Sequence, residues 1–284
     1  MKISEFLQRI EELFPLSIQE DYDNSGSQIL FDSDKLTSVM LCLDVDEKVV
    51  DESIENGCNL IVSHHPLFFK PINRVVMSEP RSKLMMKLIE NRTSLYAAHT
   101  NLDKIYYDKL AKTLGLNNLK LIFKTNSLDS IKEGQISNVN LADIDKHYIG
   151  FGVTSELENN IKLKEFLKIV KKKLKLDFIV YSGNPDGIIS NVAVLNGAGG
   201  NSIEDIIGNG GVDCIITGDI GYHNAKFANM NSVSIIDAGH FGTERILLDF
   251  LKVQIQDCLT KKHDKPQVKI YLSQSEKNPY SIYI

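Results

Sequence analysis

The sequence of 284 residues contains no tryptophan, so any core has to be assembled from Leu, Ile, Val, Phe and Tyr. It also lacks a basic excess: 32 Lys and Arg stand against 37 Asp and Glu, a net charge of −5 with the seven histidines neutral. That balance argues against a nucleic-acid binder, whose footprint is usually basic, and nucleic acid is not expected among the partners. An anionic small molecule stays open, because a local basic patch can sit on an acidic protein. Cysteine is scarce. Cys42, Cys58, Cys214 and Cys258 form no C-x-x-C pair and lie far apart, which argues against a disulfide framework and a zinc–thiolate site. No run of about 18 apolar residues is present to span a membrane. Met1 to Phe14 carries Glu5, Arg9, Glu11 and Glu12 where a signal peptide would be apolar. A cytoplasmic protein without membrane partners is the expectation.

What is present is a regular alternation of helix and strand patterns. Ile3, Phe6, Leu7, Ile10, Leu13 and Phe14 recur at helical spacing, with Ser4 as a cap and Pro15 as a stop. Val39 to Leu43 and Leu60 to Val62 are short continuous apolar runs, as strands buried on both faces would be. Asp46 can cap the helix between them, which ends at Asn56-Gly57. A helix over 82–91 and a strand over 94–98 follow. The second half repeats the plan: strand 192–195, a Gly-rich turn, a helix over about 202–207, strand 214–216, a short helix over 223–229 and strand 233–236. The alternation defines an α/β fold class with mainly parallel sheets. Residues 126–190 are less patterned, apart from an amphipathic helix through Leu163, Phe166, Leu167, Val170 and Leu174 whose other face is rich in lysine.

The halves can be laid over each other. The stretch from Gly57 to His64 matches Gly211 to Gly218. His99-x-x-x-Asp103 after the third strand of one half answers His240-x-x-x-Glu244 after the third strand of the other. Two similar α/β lobes are expected, residues 1–125 and 126–284, with the functional site between them.

The strongest local signal is Ser63-His64-His65-Pro66, immediately after a buried strand, where open α/β sheets place their sites. Alone, a His-His pair is more often bland than functional. Here Asp103, His240 and Glu244 also come from strand ends, and His99 lies four residues before Asp103. Imidazole with carboxylate and no thiolate suits Zn, Mn, Fe, Co or Ni. Histidines with two carboxylates suffice for two ions when one carboxylate bridges them. Weaker candidates are His223 at a loop-to-helix start, the turn Asn196 to Gly200 as an anion cradle, and Asp23 to Gly26, which reads first as a turn. His147 and His263 stand in polar surroundings and read as exposed.

These pieces resemble a known family. The stretches Asp21-Tyr22-Asp23-Asn24-Ser25-Gly26, Ser63-His64-His65-Pro66-Leu67, Ala98-His99-Thr100-Asn101-Leu102-Asp103, Gly218-Asp219-Ile220-Gly221-Tyr222-His223, Gly239-His240-Phe241-Gly242-Thr243-Glu244 and Asn278-Pro279-Tyr280 are similar to those of the NGG-one-interacting-factor-three-like family. Its members are also known as GTP cyclohydrolase 1 type 2 homologues. The resemblance implies a two-lobed subunit, a homohexameric ring and a dinuclear centre of two divalent metal ions per subunit. His64, His65, Asp103, His240 and Glu244 would be the ligands, Glu244 bridging. It further implies a hydrolase acting on a small-molecule substrate, GTP, by opening the purine ring. His99 and His223 would be catalytic proton shuttles close to the metals. Lys70, Arg74, Lys104 and Arg245 would help hold phosphates. Two other readings stay open: a binding module whose metals are structural, and a metal-dependent phosphoesterase. Ser25, Ser27 and Val153 depart from the family's usual residues. Residues 126–190 leave no room for the inserted domain that some relatives carry.

Overall fold

The structure, a computed structural model, describes residues 1–127, 148–260 and 268–283; His147 and His263 lie outside them. The chain forms two compact units, each built on one sheet.

The first unit begins with α1 (Ile3–Leu13), which buries Ile3, Phe6, Leu7, Ile10 and Leu13 along one stripe. Each fully buried side chain of that size contributes about 1.5–3 kcal/mol. The cap sits at Lys2, not Ser4: Glu5 Oε2 accepts from the Lys2 backbone N–H at 3.1 Å, and Ser4 lies inside the helix. Then come β1 (Gly26–Ile29), β2 (Ser38–Cys42), α2 (Glu47–Glu55), β3 (Leu60–Ser63), α3 (Pro80–Glu90), β4 (Ser94–Ala97) and α4 (Thr100–Tyr106). Asp46 caps α2 as expected, accepting from Val49 N–H at 2.8 Å. Every residue of β2, β3 and β4 is buried, which is why these strands read as unbroken apolar runs.

The second unit holds α5 (Lys109–Leu114), β5 (Lys120–Ser127), β6 (Tyr148–Lys162), α6 (Leu163–Lys173), β7 (Val180–Ser182), β8 (Ile188–Val194), α7 (Ile203–Gly208), β9 (Cys214–Thr217), α8 (Tyr222–Met230), β10 (Ser234–Asp237) and α9 (His240–Glu244). Along α10 (Leu247–Thr260) the chain returns to the first unit, where β11 (Lys269–Leu272) pairs parallel with β2. A single cut at residue 125 therefore does not describe the molecule: β5 and the helix before it belong to the second unit, and β11 completes the first sheet.

The first sheet runs β1-β4-β3-β2-β11 and is parallel except at β1. The second runs β5-β6-β8-β9-β10-β7, and only β8-β9-β10 is parallel in it. The sheets are mixed, and the antiparallel strands come from the segments whose patterns were weakest in sequence.

The two units do share a repeated core. Asn91 ends α3 with its side chain donating to Lys87 O, and Asn231 ends α8 with its side chain donating to Phe227 O. The next residues, Arg92 and Ser232, are both left-handed, at φ 50° and 59°. The strands that follow end in matching bonds, Ala98 N–H to Ser63 O at 2.9 Å and Ala238 N–H to Thr217 O at 3.0 Å. This equivalence sets His99 over Gly239 and Thr100 over His240. The two His-x-x-x-acid motifs are therefore offset by one residue, not superposed.

Candidate metal centre

Parallel pairing of β2 with β3 fixes the backbone of the His-His pair: His64 N–H donates to Cys42 O at 2.9 Å and His65 N–H to Leu43 O at 2.8 Å. His64 is buried, and its Nδ1 lies 2.9 Å from Ala98 O. A carbonyl only accepts, so Nδ1 carries the proton and Nε2 keeps its lone pair. The same logic holds twice more. His65 Nδ1 is 2.9 Å from Asp44 Oδ1, and His99 Nδ1 is 2.7 Å from Asp23 Oδ1. One ring nitrogen from each of His64, His65 and His99 lies within 4.8 Å of the others. Asp103, in the first turn of α4, brings Oδ1 to 3.5 Å from His64 Nε2. The first unit thus gathers three imidazoles and a buried carboxylate at the carboxyl end of its sheet. Imidazoles held at Nδ1 by an oxygen acceptor are the usual form of metal-ligating histidine.

The Asp23 side chain is fully buried. Burial alone would raise its carboxyl, but hydrogen bonds from His99, Thr100 and Ser25 hold it well below the usual carboxylate range. Ser25 Oγ donates to Asp23 Oδ2 at 2.8 Å and Thr100 Oγ1 to the same oxygen at 2.5 Å. Ser25 thus supplies a hydroxyl that holds the Asp23 carboxylate. Asn101, wholly buried, accepts from His99 N–H at 3.0 Å and donates to Phe14 O at 2.8 Å, tying this end of the sheet to the end of α1.

In the second unit, His240 and Glu244 lie one turn apart on α9, with Nε2 and Oε2 2.9 Å apart. His240 Nδ1 is 2.7 Å from Asp219 Oδ2. The turn after β8 packs directly on this pair. Gly197 is left-handed at φ 58°, and a Cβ there would overlap Glu244 Oε1. Its N–H donates to Thr243 Oγ1 at 2.9 Å. Gly218, after β9, stands where a Cβ would be 2.5 Å from the His240 backbone nitrogen. The glycine-rich turn is thus a close-packing device against the His240–Glu244 helix, with the Gly197 and Gly199 N–H groups bonded inside the unit. It is not arranged as the anion cradle its composition suggests.

The donor set fits divalent metal: imidazole nitrogens and carboxylate oxygens, each imidazole with Nδ1 beside an oxygen acceptor, and no thiolate among them. Other expected site residues fall elsewhere. Lys104 is buried and ion-paired to Glu20 at 2.5 Å, so it is a structural cation rather than a phosphate ligand. Arg74 is exposed and paired to Glu79 at 3.1 Å; with Lys70 and Arg81 it lines a cavity of about 370 Å³. Arg245 is half-buried just after α9. His223 is exposed in the first turn of α8, its ring edge-on to Tyr222. Val153 is buried in β6. None of the four cysteines is in a disulfide, and all four are buried; burial pushes the Cys58 thiol up to about 12. The residues not singled out as functional by sequence were Asp44 and Asp219. Each lies 21 positions from the histidine it holds, and an acid before each strand-end histidine was the available signal.

An α/β chain with histidine–carboxylate clusters at the carboxyl ends of parallel strands is the class that fold and site define. The chain belongs to the Duf34/NIF3 (NGG1p interacting factor 3) family, whose model matches residues 1–279. It is 34% identical over 283 residues to the GTP cyclohydrolase 1 type 2 homolog of Clostridium acetobutylicum, covering 99% of this chain and 98% of that one. The homolog from Staphylococcus epidermidis strain RP62A is 27% identical and covers 99% of both chains. Its alignment runs to 369 positions, so it carries a stretch this chain lacks. Among solved structures, the Bacillus cereus protein related to NIF3 superposes with a TM-score of 0.88 at 25% identity, covering 100% of this chain and 99% of that one. No helix of the described residues is long and apolar enough to cross a membrane.

Proposed function

We propose that this protein is a metal-dependent hydrolase acting on a nucleotide, with two divalent ions (Zn, Fe, Mn, Co or Ni) held by His64, His65, Asp103, His240 and Glu244. The observation that carries the reading is the triad of imidazoles His64, His65 and His99, each with Nδ1 held by an oxygen acceptor and one ring nitrogen turned toward the others. Bound there, divalent metal supplies a water nucleophile near neutral pH and polarises the group under attack.

The chain's own residues have separate tasks. Asp44 and Asp219 hold His65 and His240 by Nδ1 and so fix which ring nitrogen is a ligand. His99 is the proton carrier in the first unit, its Nδ1 proton held by the ionised Asp23 and its other nitrogen available to take and return a proton. His223, exposed on α8, is the second candidate for proton transfer. The family names of the relatives suggest GTP as substrate, opened at the purine ring with loss of formate. A homohexamer belongs to the same reading.

The test is formate release from GTP by protein reconstituted with each of the five metals, with His65→Ala as control. Release that disappears in the variant supports the proposal. No release with any metal moves the reading to another hydrolytic substrate. A second reading, a protein-interaction module, draws on the exposed apolar side chains Phe69, Ile72, Val75, Val76 and Met77, which stand within nine residues of one another. Such a run is unusual on a monomer's surface.

A further inference from the structure

The C-terminal segment of the first unit makes contacts that its role as an edge strand does not require. After β11, Ser273 N–H continues the parallel ladder by donating to Leu41 O at 2.9 Å. There the chain is bent by a part-buried network. Glu52, on α2, accepts from the backbone N–H groups of Gln274 and Ser275 and from the hydroxyls of Ser273 and Ser275, at 2.7–3.1 Å. The bend delivers Glu276 to the carboxyl end of β2. Its carboxylate accepts from Leu43 N–H at 2.9 and 3.1 Å and from Asp44 N–H at 2.6 Å.

Those two residues are the ones that hold His65. Leu43 O accepts from the His65 backbone N–H, and Asp44 Oδ1 accepts from its ring Nδ1. Asp44 has a largely exposed side chain, 67% open. If the backbone at Asp44 could shift, its carboxylate would leave the imidazole free to exchange tautomers. Pinning the peptide on both sides of residue 43 by one carboxylate removes that freedom. Charge-assisted bonds of this kind are short and about twice as strong as neutral ones.

We infer that Glu276 is a positioning residue for the metal centre: by clamping the Leu43 and Asp44 amides it sets the tautomer and direction of the His65 imidazole. The inference rests on the proposed metal role of His65, but its first readout does not. It is a chain of three links, Glu276 to the Asp44 amide, Asp44 to His65 Nδ1, and His65 Nε2 toward the site. His64 provides an internal control, because its Nδ1 is held by Ala98 O and is independent of the tail.

The experiment is nitrogen-15 NMR of the imidazoles in metal-free full-length protein, followed by zinc titration, for wild type, Glu276→Ala, Glu276→Gln and Asp44→Ala. The wild type is expected to show His65 as the Nδ1–H tautomer. Glu276→Ala and Asp44→Ala should both give an exchanging mixture at His65 while His64 is unchanged. Both should also weaken zinc binding by about 10–100-fold, as loss of an outer hydrogen-bond partner does. Glu276→Gln keeps an acceptor oxygen and should retain most of the tautomer preference, and it separates clamp loss from misfolding. A fixed His65 tautomer in Glu276→Ala, with only a lowered Tm, would overturn the inference and leave Glu276 a structural strap. A shifted tautomer with zinc affinity unchanged in every variant would uphold the clamp and instead sink the metal role of His65.

Discussion

Gly197 and Glu244 occupy one space: the missing side chain of the glycine is the room in which the carboxylate sits, and a Cβ at 197 would overlap Oε1. The turn and the helix are 47 positions apart in sequence yet have been fitted to each other to within a methyl group. Gly197→Ala therefore has two costs, a left-handed φ of 58° and a collision with a proposed ligand. We expect a loss of about 1–3 kcal/mol, typical of a residue forced into that region. Bound metal should fall along with it. Urea denaturation and metal analysis of the same preparation check this; stability lost with metal content untouched would show that Glu244 is not a ligand.

Asp23 gives a pH dependence whose direction follows from its environment. Its folded carboxyl is held below its usual value by His99, Thr100 and Ser25 against the opposing effect of burial. A depressed folded value means stabilisation that is complete above the unfolded carboxylate value and lost as pH falls from there toward the folded one. Asp23→Asn should thus cost on the order of 2 kcal/mol at pH 7, as loss of hydrogen bonds to a charged group does. The gap to wild type should narrow below about pH 4, where the unfolded carboxyl begins to protonate. Denaturant curves at pH 7 and at pH 3 measure it; a constant gap would contradict the ionised, hydrogen-bonded state of Asp23.

Lys104 separates a structural cation from a substrate-binding one. Paired to Glu20 and buried, it should behave as half of an ion pair whose removal strands the other charge. Lys104→Met is expected to destabilise by on the order of 3 kcal/mol, with Glu20→Gln in the same background recovering part of the loss. Thermal melts of the two single variants and the double variant are the check. A melt at the wild-type temperature with weakened substrate binding would restore the phosphate-binding role.

The parts of this molecule legible in sequence are those where one physical signal dominates. β2 and β3 were plain because every residue is buried, and α2 because Asp46 is a good cap on a clear apolar stripe. That His64 and His65 gather with Asp103, and His240 with Glu244, was legible because strand ends in parallel sheets collect functional groups. β6 was missed because its outer part, from Glu156 to Lys162, is largely exposed and polar and its pairing with β8 shifts register there. α4 was hidden by its own function: Thr100 to Asp103 serve Asp23, His99 and the site, and the short helix carries no long apolar stripe. The offset of one residue between the two His-x-x-x-acid motifs could not be read from letters alone, since it depends on where each backbone leaves its strand. Glu276 acts through backbone amides 232 and 233 positions away, a relationship without any local pattern.

The central claim is that His64, His65, Asp103, His240 and Glu244 hold divalent metal. Metal content per chain, measured after reconstitution and removal of loose ions, tests it most directly. The account predicts two ions per wild-type chain, and fewer in His65→Ala and in Glu244→Gln with the fold intact by circular dichroism. A wild-type chain that retains no metal, or variants that retain the full complement, would contradict it.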